Sequence, residues 1–159
     1  MKSTKSEKTQ LADDLTQQRE IGQTQARILV VDAHPDVRRG LIDLISQEET
    51  GASCLDAGST EQAWAIIDKQ QIDVVIMQVS RGHPQEVQLI ENIKLQCPTV
   101  PILILSANND APKGGPTGQR QVGRHIENKE ARDKIIKAVR YVRSLIRTQV
   151  HGFSILVKV

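Results

Sequence analysis

Aromatic residues are nearly absent from this chain: one Trp, one Tyr and one Phe among 159 residues. Any core is therefore built from Ile, Leu, Val and Ala, and a site that stacks rings, such as a flavin pocket, has little to draw on. Cysteine is scarce as well. Cys54 and Cys97 are far apart in sequence and lack metal-ligand spacing, so they read as idle thiols in a reducing compartment. No stretch approaches the roughly 18 apolar residues needed to cross a bilayer. The polar start, residues 1–25, has no apolar centre of the kind a signal peptide requires. Neither sign of charge dominates: 21 basic and 19 acidic residues give a net charge of +2. That balance singles out neither nucleic acid nor a membrane surface as a partner. These absences leave a cytoplasmic domain as the expectation. A folded chain of this length would bury roughly two-thirds of its unfolded surface.

Residues 1–25 carry four basic and four acidic side chains among many Gln, Thr and Ser, a composition that reads as a flexible polar leader. The character changes at Arg27. Ile28-Leu29-Val30-Val31 has no polar face, as expected of a strand covered on both sides. Asp32-Ala33-His34-Pro35 follows, and Pro35 suits the first turn of a helix. Val37, Leu41, Leu44 and Ile45 recur at helical spacing. Ala52 to Ala57 is a second strand. Ser59 and Gln62 have capping-box spacing ahead of a second helix. Ile72 to Met77 is a third strand, Val87, Ile90 and Ile93 mark a third helix that ends before Pro98, and Val100 to Leu105 is a fourth strand. Ala107 to Gly123 is rich in Gly and Pro and reads as a loop. Arg124 to Ile126 is a candidate fifth strand, and Ile135, Val139, Val142 and Ile146 define a last helix. The tail ends in Phe153-Ser-Ile-Leu-Val-Lys-Val159, which has strand character.

Strands alternating with helices at these intervals imply βαβ units and a parallel sheet with helices on both faces. Five strands fit the flavodoxin-like doubly wound order 2-1-3-4-5, with its site at the carboxyl ends of the strands. That places Asp32, Gln78 and Ser106 together. No phosphate-cradling loop follows the first strand, because Asp32-Ala-His-Pro lacks the required small-residue amides. Lys113-Gly-Gly-Pro-Thr-Gly118 lacks the ending and the strand-to-helix setting of a P-loop. Among four histidines, no Ser/His/Asp or Cys/His arrangement stands out, so no enzymatic activity is expected.

Three segments together resemble a known family. Ile28-Leu-Val-Val-Asp-Ala-His-Pro-Asp-Val-Arg-Arg-Gly-Leu41 resembles the opening of response-regulator receiver (CheY-like) domains, especially those of LuxR/NarL-type transcription regulators. Asp73-Val-Val-Ile-Met-Gln-Val-Ser80 resembles the strand that presents their phosphoacceptor, and Pro101-Ile-Leu-Ile-Leu-Ser106 the strand that ends in their switch Ser/Thr. The resemblance covers residues 26–147, between the leader and a 148–159 tail. In place of the family's fourth helix it implies a degenerate helix or a Gly/Pro loop. A working receiver holds Mg²⁺ with an acidic pair after the first strand and the acceptor aspartate, because the metal neutralises crowded carboxylates and phosphoryl oxygens. A lysine after the fifth strand and the Ser/Thr then bind the product.

Matched position by position, the chain keeps Asp32 and Ser106. It has Ala33 for the second acid, Gln78 for the acceptor and, aligning Gly123-Arg-His-Ile-Glu127 with the family's pattern, Glu127 for the lysine. Lys129, two residues later, is a candidate displaced substitute. Gly82 stands where the family usually has proline, with Pro84 the nearest. The resemblance thus implies a degenerate pocket of Asp32, Ala33, Gln78, Ser106 and Glu127, with no catalytic residue, no cofactor, and Mg²⁺ binding weak or lost; Asp32 is the one remaining metal-ligand candidate. The expected function is a phosphorylation-independent pseudo-receiver, a protein-interaction module in two-component-type signalling or transcriptional control. Two alternatives stand beside it: a response regulator phosphorylated elsewhere, at Ser80 or Asp73, and a flavodoxin-like ligand-binding protein. Residues 129–147 hold seven basic against two acidic side chains. Arg132, Arg140 and Arg143 on this helix are the candidate face for a signalling partner or a second copy. No membrane contact or direct nucleic-acid binding is expected.

Overall fold

The computed structural model describes residues 25–79, 84–106, 128–148 and 153–159. Among them lie five strands and four helices. In chain order these are β1 (Ala26–Val31), α1 (Pro35–Glu48), β2 (Ala52–Ala57), α2 (Thr60–Lys69), β3 (Val74–Gln78), α3 (Pro84–Gln96), β4 (Ile102–Ser106), α4 (Lys129–Arg147) and β5 (Ser154–Lys158). They form one parallel sheet in the order β2-β1-β3-β4-β5, the flavodoxin-like order expected from the sequence.

The unbroken apolar runs become central strands because both sides of the sheet are covered. Ile28, Leu29 and Val30 of β1 and Val74, Val75 and Ile76 of β3 are wholly buried. Alternate residues divide between two cores. Ile28, Val30, Val74 and Ile76 pack with α1 and α4, whereas Leu29 and Val75 pack on the other side with α2 and α3. Each such side chain contributes about 1.5–3 kcal/mol relative to exposure. All four apolar positions expected to line α1 (Val37, Leu41, Leu44 and Ile45) are buried. In α3, Leu89, Ile90 and Ile93 are buried while Val87 is exposed. The cap of α2 forms as its spacing predicts: Ser59 Oγ accepts from Gln62 N at 3.2 Å. Gln62 Oε1 reaches back to Gly58 N at 2.8 Å, one residue before the cap. No described helix is long and apolar enough to cross a membrane.

The fifth strand departs from the expected chain order. Arg124–Ile126, the candidate read from the sequence, lies outside the described residues. Ser154–Lys158, from the tail, takes the place beside β4. The strand therefore follows the last helix instead of preceding it. The physical reason lies in α4. Its stripe of Ala131, Ile135, Ile136, Val139 and Val142 is buried on the α1 side of the sheet. Phe153, Ile155, Val157 and Val159 join that same cluster, so the segment after α4 brings an alternating apolar face to bury beside β4, whereas Arg124–Ile126 has a single apolar residue.

A group of charges holds α4 in this position. Glu49, just past α1, is 8% exposed. Its Oε1 accepts from Arg140 Nε at 2.7 Å, and its Oε2 accepts from Arg143 Nη1. Arg143 also donates to Gly51 O at 3.3 Å, and Arg140 reaches Glu48 Oε2 at 3.4 Å. A Cβ at residue 51 would sit 3.1 Å from Arg143 Nη2, so the close approach of the guanidinium favours glycine there. Because Glu49 and Arg143 are largely withdrawn from water, Glu49→Ala strands a cation. It should lower stability by about 2–3 kcal/mol, read as a reduced urea midpoint with an unchanged slope. Arg140→Ala, at a half-exposed side chain, should cost under about 1 kcal/mol.

Candidate functional site

The carboxyl ends of the strands bring the candidate residues to one edge. Val31 pairs with Met77, so Asp32 and Gln78 follow one step further along that ladder. Gln78 pairs with Leu105, and Ser106 pairs with Lys158. Asp32, Gln78, Ser106 and Lys158 thus lie along the edge in the order of strands β1, β3, β4 and β5. Alternation splits them by face: Gln78 continues the Val74–Ile76 side, and Ser106 the Ile102–Ile104 side.

Asp32 is already engaged. Its side chain is 4% exposed, and its Oδ1 accepts from the His34 backbone N–H at 2.7 Å and faces His34 Nδ1 at 3.0 Å. This contact two residues on shapes the turn into α1, whose N-cap, His34, makes no side-chain cap of its own. The Asp32 carbonyl accepts from Arg38 Nη1 at 2.7 Å, and Arg38 Nε pairs with Asp56 Oδ2 at 3.0 Å. Arg38 was not singled out in the sequence, yet it braces the ends of β1 and β2. A Cβ at residue 58 would meet its Nη1 at 3.1 Å.

Gln78 ends β3, and its Oε1 is buried without a hydrogen-bond partner among the described residues. An amide oxygen in that state costs about 1–3 kcal/mol of desolvation, so no bond to this oxygen holds the pocket in a set conformation. Ser106 ends β4, and its carbonyl accepts from Val159 N at 2.9 Å. Ala33 contributes only a methyl group. Among the described residues no cluster of three or more His, Cys, Asp or Glu could hold a metal ion. The set fits Mg²⁺ poorly: Asp32 is committed to His34, Ala33 has no ligand atom and Gln78 offers a neutral amide.

Glu127, the residue expected at the lysine position, lies outside the described residues. Lys158 is exposed at the carboxyl end of β5, in register with Ser106. The strand character of the tail was legible, but its place after the last helix hid its relation to Ser106. Asp73 stands before β3, at the opposite end of the sheet, where its Oδ2 accepts from Arg27 N at 2.7 Å. It also lines a hollow with Gln25, Arg27, Ser53 and Gln71. A second hollow, lined by Lys94, Pro98, Val100, Phe153 and Ser154, lies at that same end. Ser80 and Gly82 lie outside the described residues. Of the candidate interaction face, Arg140 and Arg143 are bound to Glu49, and Arg132 is half-buried near the start of α4.

The thiols lie in separate cores, Cys54 beside the α1–α4 cluster and Cys97 beside the α2–α3 cluster, and both are free. Burial pushes the Cys54 thiol up, opposed by a hydrogen bond with Ser46 that lowers it. A thiol shifted this way carries less thiolate at neutral pH and is a poorer nucleophile.

Comparison of the sequence with known families and of the fold with solved structures gives the following likenesses. A family profile described as Response regulator receiver domain matches residues 28–140. No curated protein matches the chain. Among solved structures, the signal receiver domain of an HD domain-containing protein from Pseudomonas fluorescens Pf-5 is similar, with a TM-score of 0.58 and 17% identity over 78% of this chain and 98% of that one. The receiver (REC) domain of RcsB from Salmonella enterica serovar Typhimurium, solved with the phosphomimetic BeF3-, gives a TM-score of 0.56 at 17% identity over 83% and 94%. The chemotaxis response regulator CheY4 of Vibrio cholerae gives 0.54 at 20% identity over 75% and 99%. These likenesses are of fold. Gln78→Met should raise stability by about 1–2 kcal/mol in urea unfolding, because it removes a buried oxygen that has no partner among the described residues. A loss of stability would mean the amide is satisfied.

Proposed function

This chain belongs to the response regulator receiver domain family, and on that premise we propose that it is a pseudo-receiver: a protein-interaction module of two-component-type signalling or transcriptional control that works without phosphorylation. Gln78 carries the proposal. It ends β3 at the position that resembles the family's acceptor. Phosphoryl transfer to a receiver needs a carboxylate oxygen that attacks phosphorus and keeps the group as an acyl phosphate. The amide of Gln78 has no negative charge, and its nitrogen lone pair is drawn into the carbonyl, so neither of its polar atoms serves as that nucleophile.

The surroundings support the same reading. Mg²⁺ needs several hard oxygen ligands, and the first strand is followed by one engaged carboxylate and a methyl group. Lys158 and Ser106 keep a cation and a hydroxyl at neighbouring strand ends, so the loss is concentrated on the β1–β3 side of the edge. A module that relays no phosphoryl group acts by contact, with a signalling protein as its partner in the cytoplasm. The second acceptor candidate, Asp73, is disfavoured by its contact with Arg27 N at the far end of β3.

Incubation with acetyl phosphate and Mg²⁺ should leave the intact mass unchanged; a phosphoryl adduct would overturn the proposal. Gln78→Asp alone should remain unmodified, because the metal ligands are still missing. Gln78→Asp combined with Ala33→Asp should gain an acid-stable, hydroxylamine-labile adduct. Lys158 makes a further change at Glu127 unnecessary.

A further inference from the structure

The sheet ends in two very different edges. β2 carries Asp56 within the strand, a charge that blunts pairing with another chain. β5, Ser154-Ile-Leu-Val-Lys158, has no proline and holds its one charge at its end. Among the described residues β5 has one neighbour, β4, and its other side is open. Leu156, at the centre of the strand, is 58% exposed, and the apolar cluster beneath α2 and α3 includes no residue of β5.

The backbone directions make this edge specific. Ile102 N donates to Phe153 O at 3.1 Å, and Val159 N donates to Ser106 O at 2.9 Å. In a strand the N–H and C=O of one residue point to the same side, and successive residues alternate. The odd-numbered residues from 153 to 159 therefore face β4, and Ser154, Leu156 and Lys158 turn their amides outward. We propose that β5 pairs edge to edge with β5 of a second copy, antiparallel and centred on Leu156, so that two sheets become one across a two-fold axis.

The register is self-complementary. Centring on Leu156 sets it opposite its own copy, Ile155 opposite Val157, and Ser154 opposite Lys158. The outward N–H and C=O groups of the three even-numbered residues then meet their counterparts, as an antiparallel hydrogen-bonded pairing requires. The two exposed leucines cover each other on one face. The two lysines fall at opposite ends, so like charges do not meet. An isologous contact of this kind closes as a dimer instead of growing into a fibre. The surface is small, at the low end for specific interfaces, which makes the association dependent on concentration. The inference rests on the reading of the chain as a contact module, and it names the partner as a second copy.

Sedimentation of the full chain over a concentration series should show the 17.6 kDa monomer giving way to a species of twice that mass, with no phosphoryl donor present. The amides of Ser154, Leu156 and Lys158 should gain protection from hydrogen exchange over the same range. Leu156→Pro removes an outward N–H and leaves the β4 ladder intact; it should stay folded by circular dichroism and remain monomeric. Leu156→Lys sets like charges face to face and should weaken the dimer roughly tenfold, with recovery in salt. A wild-type protein that stays monomeric, or a dimer that folded Leu156→Pro or Leu156→Lys leaves unchanged, overturns the inference. A phosphoryl adduct on the wild type would instead overturn the pseudo-receiver reading and leave this interface standing.

Discussion

The contact between Glu49 and the guanidinium groups of Arg140 and Arg143 ties the end of α1 to the middle of α4, across 91 and 94 residues of chain. Much of the sheet's second half depends on it. The contact and the apolar stripe beside it keep α4 on the α1 face. With α4 there, the segment that follows reaches the open side of β4 and completes the sheet. The strand so recruited ends in Lys158, next to Ser106. A charge cluster on one flank of the fold thereby influences which lysine stands at the functional edge.

On the proposed reading, that edge has lost the chemistry of phosphorylation and kept its frame. The strands end where the fold requires, and Asp32 remains buried. Its carboxylate now serves the turn into α1 through His34, a structural task that needs no metal. Gln78 retains polarity without nucleophilicity, and its oxygen carries a desolvation cost. Such a cost persists in a folded domain when the surrounding burial far exceeds it, and β1 and β3 are buried on both faces. The basic helix behaves similarly. Its charge suggests an acidic partner, yet Arg140 and Arg143 have their acidic partner within the chain.

Much of this was legible in the residues. The four-residue aliphatic run of β1, the helical spacing of Val37, Leu41, Leu44 and Ile45, and the Ser59–Gln62 cap are local patterns, and each formed as read. The place of Asp32, Gln78 and Ser106 at strand ends followed from the alternation of strands and helices. Arg38 was not legible, because a surface-type side chain gives no sign that it will reach back to Asp32 and Asp56. The fifth strand was misplaced for a related reason: two short segments had strand character, and local propensity does not say which one an edge will accept.

What the amino-acid sequence determined by itself is the class of fold and the chemistry of the acceptor position. Burial patterns of period two and period 3.6 are written residue by residue, and the absence of a carboxylate at residue 78 is independent of conformation. What only the tertiary structure decided is which groups meet across long separations. The pairing of Ser106 with Lys158, the binding of Arg143 by Glu49 and the outward turn of the amides of Ser154, Leu156 and Lys158 all depend on where α4 packs. Those outcomes arise from burial and charge pairing between distant segments, and no single segment of the chain contains both partners.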